Sequence, residues 1–396
     1  MSHRPPEEAD DSDPSLSDSD PSSPDDAETR NSSSDASDHH PRGDGARRKP
    51  FVVRHKALTA AAVVLVLLVS SAGGYLYWAN QQLAAIPRVP AGIIPDPEKD
   101  HNEGGKPLNI LMLGADHGDV GESVAEDLED GEWTPGQHLS DTIIVAHIPA
   151  DRDTAQLISL PRDSWVKVDG LDGDDGYSKI NAAFSTGGPA RAVATVEDLT
   201  GMKIDHVAII DWAGFRDLTS AVGGVRVFIP EGFTDTSQNV TWDEGYITLK
   251  GEPALQYVRT RHDLPGPVKD DFGRIARQQN FLRALMGKLL SNGTTNNPVR
   301  FGKVLNTLTR FLTVDETWDT DEIRGLALSM RSIGSEDVDF VTAANVGFGD
   351  SETAGNYVKL DMRKLRQLIN AVEADDVDRY LDRNPEQRLA DEKSVN

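Results

Sequence analysis

From Ala57 to Trp78 the chain carries no charged side chain, and Val63 to Val69 is continuously aliphatic. About twenty such residues suffice to cross a bilayer as a helix. Tyr75, Tyr77 and Trp78 crowd one end, where amphipathic rings favour the headgroup layer. Arg47, Arg48, Lys49, Arg54 and Lys56 lie on the other side, and the first basic residue after the run is Arg88. The positive-inside bias therefore predicts a single-pass anchor in a cell membrane, with the N-terminus cytoplasmic and everything after Trp78 extracytoplasmic. A cleaved signal peptide does not normally follow so long a polar stretch, and a buried core helix would show a polar face.

The anchor divides the chain. Asp, Glu, Ser and Pro dominate from Pro5 to Asp44 with hardly an apolar side chain. Residues 1–46 are therefore expected to be a disordered acidic cytoplasmic tail, because such a segment buries too little surface to offset the entropy of ordering. Much of the net charge of −25 sits there, so the global acidity says little about a ligand bound elsewhere. Residues 47–56 read as a basic juxtamembrane segment, 57–78 as the transmembrane helix and 79–107 as a linker rich in Pro, Gly and charge. Residues 108–380 read as one large domain and 381–396 as a frayed polar tail. Cysteine is absent, which excludes disulfides, thiolate-ligated zinc and cysteine nucleophiles.

Within the domain, strands and helices alternate. Strands are predicted at Leu108 to Gly114, Thr142 to Ile148, Thr154 to Leu160, His206 to Asp211, Val225 to Ile229 and Val338 to Val341. Helical spacing marks Pro189 to Thr200, Trp212 to Val222, Phe272 to Leu290, Val299 to Leu312, Asp321 to Arg331 and Leu360 to Val377. The expected fold class is α/β, a layered α-β-α domain with a central mixed sheet.

Four clusters could carry chemistry. Asp116 follows a strand and Asp141 opens another; two such carboxylates can bind Mg²⁺, although Asp is also common at strand ends for turn chemistry. Arg162-Asp163 ends a strand, either as a surface ion pair of little energetic weight or as an arginine oriented toward phosphate oxygens. Arg259 and Arg261 point to the same side if Val258 to Arg261 is extended, and diverge if a helix opened by Gly251-Glu252-Pro253 continues through them. Asp271 is placed as an N-cap for a helix on which Arg274, Arg277 and Gln278 share a face. Such charges usually make a solvated helical face. Here Arg outnumbers Lys, and its planar fork binds phosphate oxygens in a bidentate manner. His117, His138, His206 and His262 lack metal-ligand spacing and read as structural or exposed, and no Walker loop, nucleophile elbow or dinucleotide fingerprint is present.

In order, these segments are Asn109-Ile110-Leu111-Met112-Leu113-Gly114-Ala115-Asp116, Ser140-Asp141-Thr142-Ile143, Ser159-Leu160-Pro161-Arg162-Asp163 and Lys179-Ile180-Asn181-Ala182-Ala183-Phe184. Ala254 to Arg261 and Asp271-Phe272-Gly273-Arg274-Ile275-Ala276-Arg277-Gln278-Gln279 follow. From about Leu108 to Leu290 this resembles the LytR-CpsA-Psr family of cell-wall glycopolymer ligases. The resemblance implies Mg²⁺ as cofactor on Asp116 and Asp141. It implies a pyrophosphate site lined by Arg162, Arg259, Arg261, Arg274 and Gln278, with Arg277 close by and Asp271 holding the arginines or serving near the reacting centre. It also implies an apolar tunnel for a polyprenyl tail. Phe184, Val207, Ile209, Phe215 and Phe281 are candidates for that tunnel, and an ordinary core explains them equally well. Two positions depart from the family pattern: Leu139 and Gly118 stand where relatives often carry arginine.

The activity so implied is phosphoryl transfer from a polyprenyl-pyrophosphate-linked glycan at the membrane to a sugar hydroxyl of a peptidoglycan acceptor. A pyrophosphatase acting on the same substrate, or a non-catalytic lipid-binding membrane protein with a regulatory role, would carry the same clusters. Nucleic acid is not an expected partner for an acidic domain that faces outward.

Overall fold

A computed structural model of the chain describes residues 56–89, 92, 105–116, 124, 128, 133–171, 174–260, 271–291 and 297–395. Of residues 56–62, Asp116, Asp271 and Phe311 the backbone alone is described. The expected acidic tail and Arg261 lie outside these residues.

Helix α1 (Lys56–Ala84) comes first, and its Val63 to Val69 side chains are all exposed. It is long and apolar enough to cross a membrane. Then come β1 (Arg88–Val89), β2 (Leu108–Asp116), β3 (Leu139–Ile148), β4 (Ala155–Leu160), and a hairpin of β5 (Trp165–Lys167) and β6 (Tyr177–Lys179). Helix α2 (Asn181–Thr200), β7 (His206–Asp211) and α3 (Trp212–Ala221) follow. Two nested hairpins come next: β8 (Val225–Ile229) pairs with β11 (Gly245–Leu249), and β9 (Phe233–Asp235) pairs with β10 (Val240–Trp242). The chain continues through α4 (Glu252–Arg259), α5 (Asp271–Leu290), α6 (Pro298–Phe311), β12 (Leu312–Asp315) and α7 (Thr320–Ser329). It closes with β13 (Val338–Thr342), the hairpin β14 (Asn345–Ser351) and β15 (Gly355–Leu360), α8 (Met362–Glu373) and α9 (Val377–Arg383).

Seven strands form one mixed sheet in the order β1-β12-β7-β2-β3-β4-β13. The two-residue period of a strand sorts its side chains onto opposite faces. Leu111, Leu113, Ile143, Val145, Val207 and Ile209 face one way, into a core completed by Phe184 and Val193 of α2 and Leu365 and Leu368 of α8. Ile110, Ile144, Ala146, Leu157 and Ala208 face the other, toward Leu282 and Met286 of α5 and Ile323 and Leu326 of α7. The result is the layered α-β-α architecture with a central mixed sheet.

Several boundaries differ from the sequence expectation. Helix α2 starts at Asn181, not Pro189, because Gly188 (φ 68°) bends the chain and lets two helical stretches run together. The helix expected from Leu360 to Val377 breaks after Glu373, where Asp375 takes a positive φ of 52°. Part of the expected linker belongs to the domain: β1 pairs with β12, and Ile86 and Val89 are buried. The expected polar tail is packed rather than frayed. Val395 is 2% exposed, the Leu389 amide donates to the Phe340 carbonyl, and Arg388 bridges to Val341. Overall polarity masked these few apolar anchors.

Candidate functional site

The site assembles where β2, β4 and β7 end and β3 begins. Along the antiparallel β2–β3 pair, Gly114 faces Thr142 while Ala115 faces Ser140 and Asp116 faces Leu139. Asp141 is thus the extra residue of a bulge, a device that re-aims a side chain at the edge of a site. Beside the bulge Gly114 leaves room for Thr142, whose Cβ would stand 3.0 Å from a Cβ added there. On the other flank, Ile143 pairs with Leu160, so continuing the register brings Arg162 opposite Asp141. The Arg162 guanidinium donates to the Asp141 carboxylate, and both are largely buried. Asp163 is ion-paired with both neighbours, 3.5 Å from Arg162 Nε and 3.3 Å from Lys179 Nζ.

Helix α5 crosses this end of the sheet and is pinned to it. Gln279 Nε2 donates to Ser159 Oγ at 2.9 Å, Thr342 Oγ1 at 3.1 Å and the Val341 carbonyl at 3.2 Å. Gln278 receives the Thr142 hydroxyl at 3.4 Å and donates to the Val258 carbonyl at 3.3 Å. Arg274 is 1% exposed and Arg277 0%. The usual solvated helical face is therefore not what forms here. Burying two guanidinium groups is costly without compensating partners.

Arg277 donates to the carbonyl of Thr260, the residue that caps α4. Helix α4 ends at Arg259, whose guanidinium carbon lies 5.8 Å from the Trp212 ring centre. The helix takes in Val258 and Arg259 and stops at Thr260 (φ −56°, ψ 129°), so it does not continue through the whole of the predicted stretch, and Arg261 lies outside the described residues. Burial pushes the Arg277 pKa down to about 10, with Arg274 adding repulsion and Tyr257 and Asp235 opposing the shift. Burial likewise pushes the Tyr257 hydroxyl up to about 12.

The structure thus joins Arg162 to Asp141, Gln278 to the residue after Asp141, and Arg277 to the residue after Arg259. Asp116 and Asp271 reach the same end by their backbones, as the last residue of β2 and the first of α5. Among the described residues no group of three or more His, Asp or Glu side chains could hold a metal ion.

Sequence reasoning did not single out Asp235 and Gln238. Asp235 is fully buried in the β9–β10 turn, and its carboxylate accepts from the Ser237 and Gln238 amides and from both side chains. Gln238 also donates to the Gln256 carbonyl and to Thr260 Oγ1. The one local signal, Asp235-x-Ser237, is an Asx-turn pattern that points to a turn and not to a site.

Beside this polar cluster an apolar cavity of about 130 Å³ runs between the sheet and α3 and α5. Gly114, Thr142, Ser159 and Gln278 line its polar part, while Ala208, Ile210, Phe215, Leu218, Phe281 and Leu285 line the rest. Of the tunnel candidates, Phe215 and Phe281 line it; Phe184, Val207 and Ile209 belong to the core on the opposite face of the sheet.

Residues 87–374 match the model of the LytR_cpsA_psr family. Corynebacterium glutamicum "Cell wall biosynthesis protein LcpA" is 31% identical over 68% of this chain and 56% of its own, so the match spans less than two thirds of that relative. Enterococcus faecalis "Polyisoprenyl-teichoic acid--peptidoglycan teichoic acid transferase TagU" is 30% identical over 77% of this chain and 91% of its own. The crystal structure of Bacillus subtilis TagV superposes with a TM-score of 0.55 at 25% identity, covering 69% of this chain and 98% of that one.

Proposed function

The chain belongs to the LytR_cpsA_psr family, and on that premise we propose that it is a membrane-anchored phosphotransferase. It moves a glycopolymer from a polyprenyl-pyrophosphate carrier onto a peptidoglycan sugar hydroxyl, outside the cytoplasm. The observation that carries this reading is an apolar cavity beside a cluster of arginines at one end of the sheet. A lipid-linked pyrophosphate has this two-part chemistry: a hydrocarbon chain for the cavity and phosphate oxygens for the guanidinium groups. The named activity of TagU, which joins a polyisoprenyl-linked polymer to peptidoglycan, supports the same class of reaction.

In the reaction, the acceptor oxygen forms a bond to the sugar-bearing phosphorus, the bond from that phosphorus to the bridging oxygen breaks, and polyprenyl phosphate leaves. Such a transfer needs positioning and charge stabilisation more than covalent catalysis. Arg162, Arg259, Arg261 and Arg274 neutralise charge growing on the phosphate oxygens. Asp271 accepts the hydroxyl proton. Gln278 lines the site. Arg277 acts through the end of α4, holding the carbonyl beside Arg259.

Asp116 and Asp141 are the residues that would hold a Mg²⁺: they lie on adjacent strands at the β2–β3 bulge. Mg²⁺ uses one or two carboxylates with substrate phosphates and water completing its shell, and the ion would share the Asp141 carboxylate with Arg162. When bound, the ion would supply further neutralisation of phosphate charge.

The test is transfer of a lipid-linked glycan by the purified full chain. Arg259→Ala and Arg261→Ala should each cut the rate about 10²- to 10³-fold while leaving the thermal melt unchanged. Wild-type ligation by both variants would sink the assignment. Product masses with and without peptidoglycan separate transfer from hydrolysis. A second reading, ligand binding without turnover, draws on Leu139, a 45% exposed apolar side chain opposite Asp116 where relatives often carry arginine. Stoichiometric binding of the lipid-linked glycan with no product would favour it.

A further inference from the structure

Helix α1 does not end where its apolar run ends. Its last turns lie along α6: the Tyr75 hydroxyl donates to the Pro298 carbonyl at 3.1 Å, and Asn306 donates to Gln82 at 2.8 Å. Between these bonds Trp78 lies on Gly302, where an added Cβ would stand 3.1 Å from the indole ring. Arg324 of α7 donates to Asn80 at 2.6 Å. Three contacts in step, Tyr75 with Pro298, Trp78 with Gly302 and Gln82 with Asn306, run the two helices side by side in the same direction. They bring the beginning of α6 level with Tyr75.

That level has a meaning if α1 is the bilayer anchor, the reading on which this inference rests. Tyr75, Tyr77 and Trp78 then mark the headgroup layer. At the same height α6 exposes Val299 (67%) and Phe301 (38%), with exposed Arg300 and Lys303 beside them. From Pro298 to Phe311 the chain has three basic residues and no acidic one, against a net charge of −25 for the whole. Apolar side chains flanked by cations in the plane of an aromatic belt match an anionic membrane surface.

We propose that the beginning of α6 is a membrane-contact site, with Val299 and Phe301 entering the interfacial layer and Arg300 and Lys303 meeting anionic headgroups. The consequence for substrate delivery is direct. The inner face of α6, Val304 and Leu308, packs in one apolar cluster with Phe215 and Phe281, which line the cavity. Since α6 runs along α1 away from the bilayer, Val304 and Leu308 stand only about 5–10 Å further along its axis than Phe301, so the apolar cluster beside the cavity begins within two turns of the contact end.

The chain has no cysteine, so a single introduced one labels uniquely. Leu67→Cys, Phe301→Cys and Val346→Cys, each spin-labelled in the full chain in phosphatidylglycerol–phosphatidylcholine vesicles, are compared by collision with oxygen and with a water-soluble nickel complex. Val346 is a 66% exposed reference on the β14 strand. The expected order places Leu67 in hydrocarbon, Phe301 in the interface and Val346 in water. A label at 301 as aqueous as that at 346, with 67 in hydrocarbon, overturns the contact site and leaves the anchor standing. An aqueous label at 67 overturns the anchor itself. For the charge component, Arg300→Glu with Lys303→Glu should shift a label at Val299→Cys toward water; an unmoved label overturns the headgroup contact.

Discussion

Burying a guanidinium removes the water that stabilises its charge, and Arg277 shows the result in a pKa pushed down to about 10. Its environment is built to keep it charged and in place: the Thr260 carbonyl accepts from it, and the Asp235 carboxylate supplies opposite charge. Burial alone would raise the Asp235 pKa. Hydrogen bonds from Gln238 and Ser237, by side chain and backbone, outweigh it and hold the carboxyl below its ordinary range. A carboxyl so depressed stabilises the fold above its unfolded pKa of ~4, and that contribution fades as pH falls through the folded value. Asp235→Asn is therefore expected to lower the unfolding midpoint at neutral pH, with the gap to wild type closing as the buffer is taken below pH ~4. Equal gaps at neutral pH and at pH ~3 in a thermal melt would contradict this account. The arginines themselves were legible as residues. Their burial was not, because i, i+3 and i+4 spacing identifies a shared face and says nothing of what covers it.

At the scale of elements, the sheet's alternation decides which residues see the cavity. Strand β7 turns Val207 and Ile209 into the core under α2 while Ala208 and Ile210 face the cavity. A larger side chain at Ala208 should therefore fill space that a lipid tail would use. Ala208→Phe is expected to raise the KM for a long polyprenyl carrier about 10-fold or more, with a smaller effect on a short-chain analogue. Steady-state kinetics on the two carriers, after confirming a cooperative melt, check this; equal losses on both would argue against the cavity as the tail site. The bulge at Asp141 is of the same scale. Ser140-Asp141-Thr142 announces a carboxylate at a strand start, but only pairing with β2 shows that Asp141 is the surplus residue and that Arg162 faces it.

For the whole molecule, the edge strand β1 ties the segment after α1 into the domain. Val89 is fully buried and Ile86 nearly so. A chain beginning at Ala85 should keep the cooperative unfolding of the domain, whereas one beginning at residue 90 loses both side chains and the β1–β12 pairing. The loss is about 3–6 kcal/mol from the two side chains alone. Calorimetry of both should show a markedly lower midpoint for the shorter chain; coincident melts would mean that β1 is dispensable. The sequence by itself determined the apolar run, the alternation that makes a layered α/β domain, and the motif order that carries the family resemblance. These are local patterns, and hydrophobic period and charge run are readable without neighbours. Only the tertiary structure decided which arginines are buried, which aromatic side chains line the cavity, that the C-terminal segment is packed, and that the end of α1 lies along α6. Each of these depends on contacts between residues far apart in the chain, Arg162 with Asp141, Leu389 with Phe340 and Tyr75 with Pro298 among them, and no local pattern encodes a distant partner.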